Sequence, residues 1–194
     1  MKTLVQTVLA GFLSVAPAMA ADNSCGEKYW QGTGPEHTID QIPVSGLQRF
    51  LDTSPAIDGI KFHVSMKGKE VWLDIVQYPP EVSVIASLRS LLVIGRVVQP
   101  GYDKLVLADG DKGLFQVSYQ DIHAIGCQFV WGAEGGQNPI HLLRELADSL
   151  TYYADGSRVA PPFTGSLMGD TSAMLGTMNK IVYPEWLLKT VTIQ

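Results

Sequence analysis

The chain has 194 residues, 46% of them hydrophobic and 17% charged, with a formal net charge of −5 and a pI near 5.3. That is apolar enough to bury a core and excludes wholesale disorder, while the acidic balance, with no Lys/Arg-rich run, excludes binding to a nucleic-acid backbone. Two cysteines are too few for a disulfide-scaffold miniprotein or a four-cysteine zinc site.

The start of the chain reads as an export signal. Lys2 supplies a positive charge, Leu4 to Val15 is largely apolar, and Pro17-Ala18-Met19-Ala20 ends in the small-x-small pattern that signal peptidase accepts. A signal peptide over 1–20, cleaved after Ala20, is expected. The apolar run is too short for the roughly 20 residues a bilayer requires. Asp22-Asn23-Ser24 before Cys25 are unlike the small apolar residues of a lipoprotein signal, so no lipid anchor is expected. Loss of Lys2 would move the net charge from −5 to −6. The most apolar later stretch, Val82 to Val98, is interrupted by Arg89 and Arg96, so no membrane span is expected after signal removal. The expected location is the periplasm or the secreted fraction.

Residues 21–58 are polar and Gly/Pro-rich and predict an irregular N-terminal segment, with a short helix from Ser45 to Leu51. From Gly59 to Met66 the pattern alternates, with Ile60, Phe62, Val64 and Met66 on one face, as in a half-buried strand. Lys67-Gly68-Lys69 turns the chain, and Glu70 to Tyr78 returns with Val71, Leu73 and Ile75 inward: a β-hairpin. Pro79-Pro80 stops that strand. Val84, Ile85, Leu88, Leu91, Leu92 and Val98 then recur at helical spacing, with Ser83, Arg89, Ser90 and Arg96 assigned to the wetter side, until Pro100-Gly101.

A second hairpin is expected from Lys104 to Ala108, turning through Asp109–Gly113, and Leu114 to Val117. Ser118 with Asp121 forms a capping box for a helix from Tyr119 to Phe129, and Asn138-Pro139 opens a further helix through Leu150. Met168, Met174, Leu175, Met178, Ile181 and Val182 predict a short tail helix packing back, with one more turn at Pro184 to Leu188. The resulting expectation is an α+β fold of ββαββα-like order: an antiparallel sheet of about four to five strands from two β-hairpins, with helices packed on one face. The core domain spans 59–158, and a C-terminal tail over 159–194 packs on it.

In an oxidising compartment the even cysteine pair predicts a disulfide, Cys25–Cys127, closing a loop of roughly 100 residues. His123 and Cys127 lie four apart on one helix face, but Cys127 sits near the helix C-terminus, where the dipole opposes a thiolate; a cysteine hydrolase is not expected. The histidines at 37, 63, 123 and 141 lack zincin spacing, and His141/Glu145, like Arg144/Asp148, reads as an exposed i,i+4 contact. No metal and no cofactor are expected. Gly32-Thr33-Gly34-Pro35 lacks the third glycine of a dinucleotide fingerprint, and Gly135-Gly136 reads as an inter-helix turn. Asp109-Gly110-Asp111 has Gln120 where a calcium loop needs glutamate. No serine-nucleophile motif occurs.

What remains is recognition. On the outer face of the first hairpin, Trp72, Asp74 and Tyr78 fall at alternate positions with His63 from the partner strand, and these four form the candidate interaction surface unless the C-terminal tail covers them. If Trp72 is exposed, truncating it should cost no more than about 0.5 kcal/mol; if buried, several. The chain reads as an exported, non-enzymatic binding module, acting as an inhibitor, chaperone-like or accessory protein toward another envelope protein or a small ligand. The alternative is an envelope hydrolase assembled from distant groups such as His63, Asp74 and His123.

Overall fold

A computed structural model describes Cys25, residues 41–129 and residues 139–187. The expected signal peptide and its cleavage site, Trp30, His37, Trp131 and the glycine motifs at 32–35 and 135–138 lie outside the described residues. Among the described residues, no helix is long and apolar enough to cross a membrane.

The chain enters through α1 (Leu47–Thr53) and then forms the first hairpin, β1 (Lys61–Lys67) and β2 (Glu70–Gln77). Helix α2 (Val84–Val97) leads to the second hairpin, β3 (Lys104–Asp109) and β4 (Lys112–Ser118). Helices α3 (Tyr119–Gln128) and α4 (Pro139–Ser149) follow, then a two-residue strand β5 (Thr151–Tyr152). Helix α5 (Leu167–Thr177) continues into a π-helical segment, Met178–Leu187. Pro184 in that segment has no N–H for an α-helical ladder, and the chain there is wound in the wider π turns.

Both hairpins form, but their layout differs from the expected one: β1 starts at Lys61 rather than Gly59, and the second turn is only Gly110-Asp111, with Asp109, Lys112 and Gly113 drawn into the strands in place of a five-residue loop. Gly68 and Gly110 take positive φ at the turns (63° and 57°), where a Cβ would be strained. Phe62 faces Ile75 and Val64 faces Leu73 across the first pair; Leu107 faces Phe115 across the second. At α3, Ser118 Oγ accepts from Asp121 N at 3.0 Å and donates to Asp121 Oδ2 at 2.6 Å, so the capping pair is present.

The sheet is mixed rather than antiparallel. Its order is β1-β2-β3-β4-β5, and the central pair β2/β3 is parallel, running from Glu70↔Lys104 to Asp74↔Ala108. The reason lies in the connection. Pro79-Pro80 ends β2, and the 14-residue α2 spans about 21 Å, long enough to carry the chain back to the end where β2 began. The two hairpins therefore meet through a β-α-β crossover. Pairing of β5 with β4 adds an edge strand that the sequence pattern does not reveal.

One large core lies between the sheet's inner face and the helices. Val71, Leu73, Leu105, Leu107, Phe115 and Val117 of the sheet meet Leu91, Leu92, Ile94, Ile122 and Leu146 of the helices, with Leu47 and Leu51 of α1 in the same cluster. Helices α2 and α3 cross at two glycines. A Cβ on Gly95 would sit 2.2 Å from the Ile122 carbonyl oxygen, and one on Gly126 would sit 2.6 Å from Arg96 N. This approach corrects the assignment of Ser90 and Arg96 to a wet side: both are buried, Ser90 bonding back to Ala86 O and Arg96 Nη1 donating to Phe129 O at 2.6 Å.

The tail packs on the helical side. Met174, Met178, Val182 and Trp186 are buried, and the Trp186 ring lies 6.4 Å from that of Phe62. Met168, expected to pack, is instead 83% exposed. Asp170 anchors this tail from within: it accepts from Thr164 N, Thr164 Oγ1 and Gly165 N and pairs with Arg144 at 2.7 Å. Arg144 is thus bound to Asp170 and Asp148 to Arg158, rather than to one another across a helix turn.

Candidate functional site

The four residues proposed for the first hairpin's outer face do not share a surface. His63 is exposed and Asp74 half-buried, opposite one another in register. Trp72 is only 5% exposed. It packs with Val106 and Ala108 beneath Tyr153, whose ring stands edge-on to the indole at 5.2 Å. Glu70 ties this cover down, accepting from Trp72 Nε1 and Tyr153 OH at 3.0 Å each and pairing with Lys104 at 3.0 Å. Burial works to raise the Glu70 carboxyl, but the hydrogen bonds from Lys104, Trp72 and Tyr153 outweigh it and hold the group below its ordinary value. Lys67 Nζ closes the remaining edge, 3.5 Å from the Trp72 ring centroid. The outer face is therefore covered over Trp72 by the turn after β5 and not by the tail from Val159.

Tyr78 departs further. Strand β2 ends at Gln77, so the alternation stops one residue short, and Tyr78 turns into the main core, where its hydroxyl donates to Ser83 O at 2.5 Å. Burial pushes that phenol up to about 12. The hydrolase constellation is also separated: His63 and Asp74 stand on the outer face of the sheet, whereas His123 packs against α2 behind it, its Nδ1 2.9 Å from Gly95 O. Burial raises the Asp74 carboxyl, yet no third group of the expected set reaches it.

A concave surface lies elsewhere, at the N-terminus of α2. A cavity of about 350 Å³ is lined by Asp58, Glu81, Val82, Ser83, Ile85, Ala86 and Arg89. A second, about 270 Å³, shares Ser83 and Ile85 with the first and is lined also by Leu88, Leu143, Met174, Leu175, Met178 and Asn179. The two adjoin at Ser83 and Ile85, the first carrying the charged side chains and the second mostly apolar ones. Asp58 reaches the first from an αL backbone conformation (φ 52°), uncommon for a residue other than glycine, and forms an ion pair with Arg89 that is about one-third exposed. Burial lowers the Arg89 guanidinium from its ordinary value. Ser83 caps α2 by position only, since its side chain makes no capping bond. Ile85 (51% exposed) and Leu175 (41%) leave apolar surface at the rim.

The residues of this cleft carry no local sequence pattern that marks them as a site. Asp58 and Arg89 are 31 positions apart, and Ile85, Met174 and Leu175 read as core residues at helical spacing.

The cysteine pair is joined as the count implied. Cys25 and Cys127 form a disulfide with Cα atoms 5.1 Å apart, tying position 25 to the last turn of α3. His141 and Glu145 make the expected i,i+4 contact at 3.2 Å. No family model, curated protein or solved structure matches the chain.

Proposed function

We propose that this is an exported, non-enzymatic binding module of the cell envelope, and that its ligand lies in the cleft at the start of α2. The carrying observation is that the two adjoining cavities share Ser83 and Ile85, placing a carboxylate-rich end beside an apolar groove. Binding sites of this kind combine apolar walls with a few fixed polar groups. The charged end holds two carboxylates, Asp58 and Glu81, against the single guanidinium of Arg89, so it favours a basic group. The apolar end accepts aliphatic or aromatic side chains against Leu143, Met174 and Leu175, where methionine adapts to different shapes. The partner class that fits is an extended segment of another envelope protein in which a Lys or Arg flanks apolar residues. Export rests on the leader pattern at 1–20, and the compartment suits the disulfide.

Selection of displayed eight-residue peptides on the processed, oxidised protein tests this reading. Sequences joining a basic residue to two or three apolar ones should be enriched, and Leu175→Glu, at a rim position, should abolish the enrichment. Equal enrichment on the wild type and on Leu175→Glu, or none on the wild type, refutes the cleft as the binding site.

A further inference from the structure

The disulfide sits beside a histidine in an arrangement that a structural staple does not require. His123 is one turn before Cys127 on α3, and its Nε2 lies 3.5 Å from Cys127 Sγ. The ligand atoms of Cys25, His123 and Cys127 all fall within 4.8 Å of one another. The imidazole is fixed on its other side: Nδ1 meets the Gly95 carbonyl oxygen at 2.9 Å, and the ring stacks on Tyr119 at 5.1 Å and 18°. A carbonyl partner makes Nδ1 the donor and leaves the Nε2 lone pair free, with Cys127 Sγ lying beside the ring at 3.5 Å from Nε2 and 4.0 Å from Nδ1. Metal-bound histidines are held in this way, by a hydrogen bond from the nitrogen that does not ligate. The carbonyl can occupy that place because Gly95 lies at the close crossing of α2 and α3.

We propose that the Cys25–Cys127 disulfide is the oxidised form of a Cys₂His zinc site, completed by His123 when the pair is reduced. The spacing supports it. With Zn–S about 2.3 Å and Zn–N about 2.0–2.1 Å, a tetrahedral ion separates its sulfur and nitrogen ligands by about 3.5 Å, the distance already present between Cys127 Sγ and His123 Nε2. The two sulfurs must part to about 3.8 Å and Cys127 Sγ must swing toward the Nε2 lone pair, movements that side-chain rotation of the two reduced cysteines supplies. Cys25 and His123 are half-buried and Cys127 is buried, so an ion can enter from the solvent side and keep a water as its fourth ligand. Chemically, a dithiol transfers two electrons and two protons to the disulfide, giving two thiols and its own disulfide. Binding of Zn²⁺ then forms two Zn–S bonds and one Zn–N bond and releases the two thiol protons to water. In this state the metal takes over the link between position 25 and α3, so the connection survives loss of the S–S bond.

Cobalt(II) reports directly on such a site, because thiolate ligation produces charge-transfer absorption in the near ultraviolet and tetrahedral geometry intensifies the visible bands. The processed full chain, reduced with a phosphine and freed of it under anaerobic conditions, should bind one Co²⁺ per molecule with both signatures, and one equivalent of Zn²⁺ should displace it. The oxidised protein should show neither. Cys25→Ser should lose most of the charge-transfer intensity, and His123→Ala should bind at least tenfold more weakly while keeping its helical circular dichroism. If reduction alone diminishes that dichroism, Zn²⁺ should restore it in the wild type but not in Cys25→Ser. The proposal fails if the reduced protein gives no thiolate–cobalt band. Equal binding by the oxidised form, affinity unchanged in His123→Ala, or dichroism that zinc does not restore overturns it as well.

Discussion

At the scale of single residues, Trp72 shows how one neighbour changes the role of a side chain. Strand alternation places it outward, and on a two-layer domain an outward tryptophan is available for binding. Tyr153 and Lys67 close over it, and Glu70 takes its indole N–H. Trp72→Ala is therefore expected to cost about 3 kcal/mol in urea unfolding, the scale of a large-to-small change in a packed site. Peptide binding at the cleft should be unchanged in the folded fraction. Asp170 behaves differently, because its effect depends on pH. Hydrogen bonds from Thr164 and Gly165, with the charge of Arg144, hold its carboxyl below the ordinary aspartate value. Its contribution is complete above about pH 4 and is lost as the pH falls through the lowered native value. Acidification should thus expose the tail to proteolysis around Thr164–Gly165, and Asp170→Asn should show that susceptibility already at neutral pH.

Among the elements, the α2–α3 crossing is the most constrained. Helix axes approach this closely only where Cβ atoms are missing, and Gly95 and Gly126 provide the gap. Gly126→Ala should destabilise the protein by about 3 kcal/mol or prevent folding, since its Cβ would press on the backbone of α2. Gly176 is the control. It lies inside α5 with nothing within 4 Å of an added Cβ, so Gly176→Ala should raise stability by about 0.5–1 kcal/mol through helix propensity. Thermal melts of the two variants should move in opposite directions. The same crossing explains why Ser90 and Arg96 are buried although their residue types suggest solvent. A helix covered on two sides has little wet face left, and each polar group meets a carbonyl instead.

For the whole molecule, the disulfide and the crossover connection decide the architecture. A link across 102 positions removes much of the unfolded chain's freedom, by about 4.7 kcal/mol in the chain-entropy model. In the absence of metal, reduction should lower the unfolding free energy by about 4 kcal/mol, read as a shift of the urea midpoint. If zinc replaces the link, part of that loss should be recovered with metal present. The cleft is likewise a property of the assembled molecule, since its walls come from the turn at Asp58, the start of α2, α4, and the tail at Met174–Met178.

The sequence by itself determined both hairpins, the positions of α2, α3 and α4, the capping pair at Ser118 and the cysteine bond. Each of these depends on residues close together or, for the cysteines, on a count of two. Alternation and helical spacing are local geometry, and a proline pair or a capping box acts within one turn. Only the tertiary structure decided that β2 and β3 run parallel, because periodicity carries no information about which strand lies beside which. It also decided which polar residues are buried, since a helix pattern shows one face and α2 is packed on more than one. The candidate site lay beyond sequence reading for the same reason: Asp58, Ile85, Arg89 and Leu175 become neighbours only when the sheet, α2 and the tail are packed together. His123 stands between these cases. Its four-residue spacing from Cys127 was legible along the helix, but the Gly95 carbonyl that orients its ring is brought there by the crossing of two helices.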